Sequence, residues 1–170
     1  MALTQNLARV SPAYLARCRQ AAEESPSGDP RWDPPDEDVL DLDWAMWGLI
    51  RLFRWARIDP AHIEALERSI HGDAAGVAFL DHLEFYDRMD TPPALVRPRD
   101  VGEIAGLLDA IDWNTALALF PEDPVLAAQV SGLDGFAGNL PAYLTEHFEA
   151  LRAFYRLASE RRLAVVTWVD

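Results

Sequence analysis

The stretch that most constrains this chain is WAMWGLIRLFRWARI, residues 44–58. Its only charges are Arg51, Arg54 and Arg57, spaced every third residue, and nearly all the rest of a helix built from it is apolar. Such a helix is stable only when other elements surround it on most sides. It is too short, and too often interrupted by arginine, to cross a bilayer, which takes ~20 apolar residues. The remainder of the chain must therefore supply the layers that cover it.

There is enough material to do so. A length of 170 residues suits one domain around one core, residues 1–170 as a unit. Half of the residues are hydrophobic and six are tryptophan, too apolar for a disordered chain. The 28 acidic residues outnumber 15 basic ones for a formal charge of −13. That field repels nucleic-acid backbones and anionic membranes, so neither is an expected partner. It keeps the protein in solution, and it speeds encounter with a basic protein surface. Cys18 is the only cysteine, which rules out an internal disulfide and fits a reducing compartment. The opening MALTQNLARVS lacks a basic region followed by an apolar run, so a cytoplasmic location is expected.

Proline directly after a capping residue punctuates the chain, because proline presets φ while the cap oxygen satisfies an orphan N–H. Ser11-Pro12 predicts a helix to about Glu24, Asp59-Pro60 one to about His71, and Asp123-Pro124 a short one to about Val130. Asn139 predicts the cap of a long final helix with Leu140, Leu144, Phe148, Leu151, Tyr155 and Ala158 on one face. Val101, Ile104, Ala105, Leu108 and Ile111 mark another helix. Strands are expected at residues 3–10, 94–97 and 164–169, and the run at 76–80 reads equally as a fourth strand or a helix start. Residues 25–38, with four prolines and five acids, read as a surface loop. The fold class that follows is α/β (α+β): a small mixed sheet of three or four strands with helices on both faces, helix outweighing strand.

The search for chemistry yields little that is specific. His62, His71, His82 and His147 lack the i, i+4 spacing of a helical metal pair, and the acids Asp36, Glu37, Asp38, Asp41 and Asp43 lack an EF-hand's glycine and closing glutamate. No metal and no cofactor is expected. Cys18 shares a helical face with Leu15 and Ala22 and reads as a core residue, and there is no GxSxG elbow. SGLDGFAG, 131–138, matches no phosphate-binding loop and reads as a flexible connection. Asp41 or Asp43 is expected to cap the helix that follows them. Glu64–Arg68 and Glu84–Arg88 have the acid-first i, i+4 order of exposed helix pairs. The arginine row is expected to pair with carboxylates; gripping an anionic ligand is the sharper alternative.

LDLDWAMWGL at 40–49, VRPRDVGEIAGLLDAID at 96–112 and LTEHFEALRAFYRLASERRLAVVTWV at 144–169 resemble the YfbM-like family of uncharacterised bacterial proteins. The resemblance implies a three-layer arrangement with helices on both faces of a small mixed sheet, and it implies no reaction. The chain departs from the family pattern where Trp44 and Met46 replace a lysine and a tryptophan after the LDLD run, and where FYDRMDTPP, 85–93, stands in place of a Tyr-Gly-Pro tract. Residues 56–86 look like a helical insertion.

Two functional expectations follow. The first is a non-enzymatic binding or regulatory module that meets a protein partner through its acidic surface, in the manner of a toxin-neutralising protein. The second is a small-molecule enzyme with a cleft beside Asp41, Asp43, Trp44 and Trp47, where two carboxylates would do acid-base work against aromatic walls. These four are the candidate ligand- or partner-binding residues. Trp32, in the proline-rich loop, suggests self-association if it is exposed.

Overall fold

A computed structural model of the protein describes residues 4–73, 76–86 and 92–170. The proline-led helices begin where the capping argument places them. Ser11 Oγ accepts from Tyr14 N–H to open α1, Pro12–Glu24. The 11-residue helix α2 spans Ala45–Trp55. Asp59 opens α3, Pro60–His71, by accepting from Ala61 N–H. Next come α4, Pro98–Ala110, and α5, Trp113–Ala118, a short helix capped by Asp112. Asp123 opens α6, Pro124–Ser131, and Asn139 opens α7, Leu140–Glu160. In each capped case the side-chain oxygen satisfies an amide that the helix itself leaves orphaned.

The strands are β1, Gln5–Val10; β2, Val39–Asp41; β3, Ala94–Val96; and β4, Ala164–Val169, in the order β2-β1-β4-β3. A mixed sheet was expected; every ladder is antiparallel. β1 and β4 form the centre, in register from Gln5 opposite Val169 to Val10 opposite Ala164. β2 runs into the first half of the LDLD run, through Leu40 and Asp41. Residues 76–80 are neither strand nor α-helix: Ala78–Leu80 form a single 3-10 turn.

Because strand side chains alternate, the sheet carries two apolar faces. Leu7, Val96 and Val165 point into the larger core, where α2, α3, α4 and α7 pack. Ala8, Val10, Val166 and Trp168 point into a smaller one closed by α1 through Cys18, Tyr14 and Leu15. Helices thus cover both faces. Within α2, seven of eleven residues are buried, as its composition demands. The helix stops before residue 58 because Arg57 turns into the left-handed region, φ +53°.

Trp32 is not free. It is half-buried, with its ring 5.5 Å from Tyr14, 5.0 Å from Phe85 and 6.2 Å from Trp168 in edge-on contacts. The loop of residues 25–38 bends back over the sheet because this indole gains apolar contact there. Asp33 N–H also donates to Tyr14 Oη at 2.7 Å. Arg68 likewise departs from its expected pairing with Glu64: Asp73 accepts its Nε at 2.7 Å, and Glu103 lies 3.5 Å away. Arg88, expected to pair with Glu84, lies outside the described residues.

Two buried polar ties hold the layers together. Arg9, 9% exposed, donates through Nε to Asp38 Oδ1 at 2.7 Å, and Arg161 Nη1 reaches the same oxygen at 2.8 Å. The Arg9 guanidinium also sits 5.0 Å over the Phe154 ring. Asp38 thereby joins the loop to β1 and to the end of α7. At the sheet centre, Gln5 donates to Thr167 Oγ1, which in turn donates to Ile70 O, while Tyr155 Oη donates to Ser69 O at 2.7 Å.

Burial pushes the Asp38 carboxyl up, but hydrogen bonds from Arg9 and Arg161 outweigh it and hold the group below the usual carboxylate range. A carboxyl depressed on folding stabilises above its unfolded pKa, ~3.9, and that stability is lost as pH falls through the folded value. Asp38→Asn should therefore cost about 2–4 kcal/mol at pH 7, leaving Arg9 without its counter-charge. In urea titrations the gap from wild type should narrow as pH drops below ~4; a gap that stays constant would contradict the assignment.

Gly72 has φ +70° and ψ 171°, a backbone conformation open essentially to glycine alone. A Cβ there would stand 2.7 Å from Ala94 Cβ and 3.0 Å from Leu95 N on β3. Gly72→Ala should lower stability by about 2–5 kcal/mol, combining backbone strain with a clash against main chain. Thermal melts of the variant would check this.

Candidate functional site

The candidate site grows from the turn between β2 and α2. Leu42 N–H donates to Gln5 O at 2.8 Å and Gln5 N–H to Asp43 O at 3.2 Å, which pins the turn to β1. Asp41 Oδ1 accepts from Asp43 N–H at 2.7 Å, the local hydrogen bond that aspartate makes in turns. Asp43 is left-handed, φ +48°, a conformation that aspartate tolerates better than most residues. Neither acid caps α2. That correction follows from the turn: Asp41 is spent on Asp43, and the left-handed step carries the Asp43 carboxylate to Tyr143 instead.

Tyr143, in the first turn of α7, takes over the capping role. Its Oη accepts from Trp44 N–H at 3.2 Å and donates to Asp43 Oδ2 at 3.0 Å. Burial pushes the Tyr143 hydroxyl above the ordinary tyrosine value, and the Asp43 carboxylate adds to the shift. The hydroxyl therefore stays protonated and remains a donor. His147, one turn on, donates through Nδ1 to Tyr143 O at 2.9 Å, and the two rings are 4.4 Å apart.

The opposite wall is the segment 131–138. It is a hydrogen-bonded turn, not a flexible connection. Gly132 ends α6 in the left-handed region, φ +68°, with its N–H on Ala128 O and Gln129 O, and Leu133 N–H and Phe136 N–H continue the bonding. Phe136 packs 4.8 Å from Tyr143. The Arg51 guanidinium lies beside Gly132, so close that a Cβ there would meet its Nη1 at 2.5 Å.

Between these walls runs an open groove in two adjoining parts. One, about 410 Å³, is lined by Asp43, Trp44, Asp134, Phe136 and Tyr143 among others. The other, about 270 Å³, is lined by Trp44, Trp47, Arg51, Gly132 and Leu133. Trp44, 45% exposed, stands between them, with the Trp47 ring 6.4 Å away. Of the four residues expected here, Asp43, Trp44 and Trp47 come together on the groove. Asp41 stays outside, exposed, so the expected Asp41–Asp43 pair does not face the space; the second carboxylate on its lining is Asp134. Of the arginine row, Arg54 pairs with Glu67. Arg51 has neither an ion pair nor a hydrogen bond among the described residues.

Sequence reasoning missed Tyr143, Leu133 and Phe136. Tyr143 falls one position before Leu144 and so beside, not on, the apolar stripe of α7. Leu133 and Phe136 were the available signal, as two large apolar residues in a glycine-rich turn that had no reason to be solvated. Elsewhere, His82 is engaged with Ser27 O at 2.9 Å and Glu84 N–H at 3.1 Å. Among the described residues no three His, Cys, Asp or Glu side chains converge as a metal site would require, and no helix is long and apolar enough to cross a membrane.

With this geometry in place, the comparisons bear on kinship. Among solved structures the protein is similar to YfbM from Escherichia coli, a protein of unknown function, with a TM-score of 0.62 and 16% sequence identity over 98% of this chain and 99% of that one. At that identity the likeness shows a shared fold and agrees with the resemblance carried by the LDLD segment and the final helix and strand. No curated protein matches the chain. DUF1877, a domain of unknown function, matches residues 1–168, and the chain belongs to the DUF1877 family.

Proposed function

We propose that the protein is a binding module, and that the groove at the start of α2 receives a basic side chain of a protein partner. The observation that carries this reading is the grouping of Asp43 with exposed Trp44 and with Tyr143 and Phe136 around one open space. A carboxylate beside aromatic faces suits a lysine or arginine, which gains an ion pair and cation–π attraction together. Tyr143 holds one Asp43 oxygen at 3.0 Å, which orients the carboxylate before a partner arrives. An exposed tryptophan beside a pocket is the kind of anchor that dominates protein interfaces. The formal charge of −13 favours encounter with a basic surface.

One observation also favours an enzyme in the same cleft. The Tyr143 hydroxyl and the Asp43 carboxylate form a donor-acceptor pair that faces the space, a geometry open to acid-base chemistry, while the upward push on the hydroxyl makes it a weak proton donor. With Asp41 turned away, such chemistry would rest on Asp43 and Tyr143, with Asp134 on the same lining.

The binding reading predicts a partner retained on the immobilised protein at low salt and released as salt is raised. Asp43→Asn should weaken that retention by about ten- to hundredfold, the cost of losing a charged hydrogen bond. Trp44→Ala should weaken it as well, while both variants keep the wild-type melting temperature within a few degrees, because Trp44 is exposed and asparagine keeps an oxygen to accept from Tyr143. Retention that ignores salt and both substitutions would overturn the proposal.

A further inference from the structure

The arginine row leaves two charges without a carboxylate among the described residues, Arg51 and Arg57, and of these Arg51 lines the groove. Arg54 has Glu67, whereas Arg51 has no acceptor among the described residues. Arg51 is exposed, and its guanidinium lies beside Gly132, whose lack of a side chain leaves room for it. There it lines the smaller part of the groove, whose other walls are Trp44, Trp47 and Leu133. The combination of one cation and three large apolar side chains recognises a carboxylate that is attached to an apolar group.

The size of the space limits what that group can be. At about 270 Å³ it falls below the ~300–1,000 Å³ of ordinary small-molecule sites and suits a single anchoring side chain. In an extended peptide successive side chains point to opposite faces, so an internal acidic residue and its apolar neighbour would not enter one pocket together. At a chain terminus the last residue supplies both, because its side chain and its carboxylate leave the same Cα.

We infer that the Trp44–Trp47–Arg51 pocket takes the C-terminal residue of the partner, its carboxylate on Arg51 and its apolar side chain against Trp44 and Leu133. This rests on the reading that Asp43 receives a basic side chain in the adjoining part of the groove. Arg51 lies two helical turns along α2 from Trp44, about 10 Å, and an extended chain advances ~3.3–3.6 Å per residue. The partner therefore carries its basic residue about three positions before an apolar C-terminal residue.

The test uses acetyl-Lys-Ala-Ala-Leu with a free carboxylate, its C-terminal amide, the analogue with norleucine for lysine, and acetyl-Lys-Ala-Ala-Glu amide, each titrated against tryptophan fluorescence. The free acid should bind about tenfold or more tightly than the amide, as expected for a hydrogen-bonded charge pair. Arg51→Gln should abolish that difference while preserving the preference for lysine over norleucine. Asp43→Asn should abolish the lysine preference while preserving the acid-over-amide difference. Equal binding of acid and amide by the wild-type protein, with lysine still preferred, would overturn the terminal-carboxylate pocket and leave the basic-residue site standing. A preference for acid without one for lysine would do the reverse. The glutamate amide binding as well as the free acid would overturn the assignment to a chain terminus, and failure of every peptide to bind would overturn both.

Discussion

A helix as apolar as α2 sets the terms for everything around it, because its Leu49, Leu52 and Phe53 are removed from water completely. Each fully buried side chain of that size stabilises by about 1.5–3 kcal/mol, and that gain is available only if α3, α6, α7 and the sheet all close on the helix at once. Gly48 shows how tight the closure is: a Cβ there would meet Leu144 at 2.9 Å and Leu133 at 3.0 Å. Of the α2 positions left facing outward, Arg54 reaches Glu67 on α3 and Arg51 lies beside Gly132 at the end of α6. The groove lies there, and its position is a by-product of burying the rest.

The boundaries that were legible in the sequence are those set by local chemistry. Ser11, Asp59, Asp123 and Asn139 each accept an amide within three residues, so cap, proline and helix could be read from a handful of neighbouring letters. β4 was legible from its β-branched residues, and the fold class from the mixture of elements. β2 was overlooked because its strand character depends on β1 across from it, with Leu40 opposite Leu7. The same applies to Asp38, which looked like one more surface acid. Its burial is imposed by Arg9 and Arg161, 29 and 123 residues away along the chain.

The site divides along the same line. Asp43, Trp44 and Trp47 adjoin in sequence and were visible as a cluster. Tyr143, 100 residues from Asp43, could be assigned only once α7 was seen to start beside α2. Its single hydroxyl does two things, closing the amino end of α2 and aiming the Asp43 carboxylate, so the wall of the groove and the stability of the helix share one group. Binding surface and scaffold are therefore difficult to vary independently at this point, whereas Arg51 and Trp44 can change with little effect on the core.

The central pair of strands has a consequence for how the protein is made. Gln5 meets Thr167, 162 positions later, and closing so long a loop is entropically costly and slow. On a ribosome, β1 and β2 can join early through α1, but the other edge of β1 waits until β4 has been synthesised. Throughout that interval the nascent chain presents an unpaired strand edge and an uncovered apolar helix, the features that invite aggregation. The polar side chains of Gln5 and Arg9 along β1 interrupt what would otherwise be a continuous apolar strand.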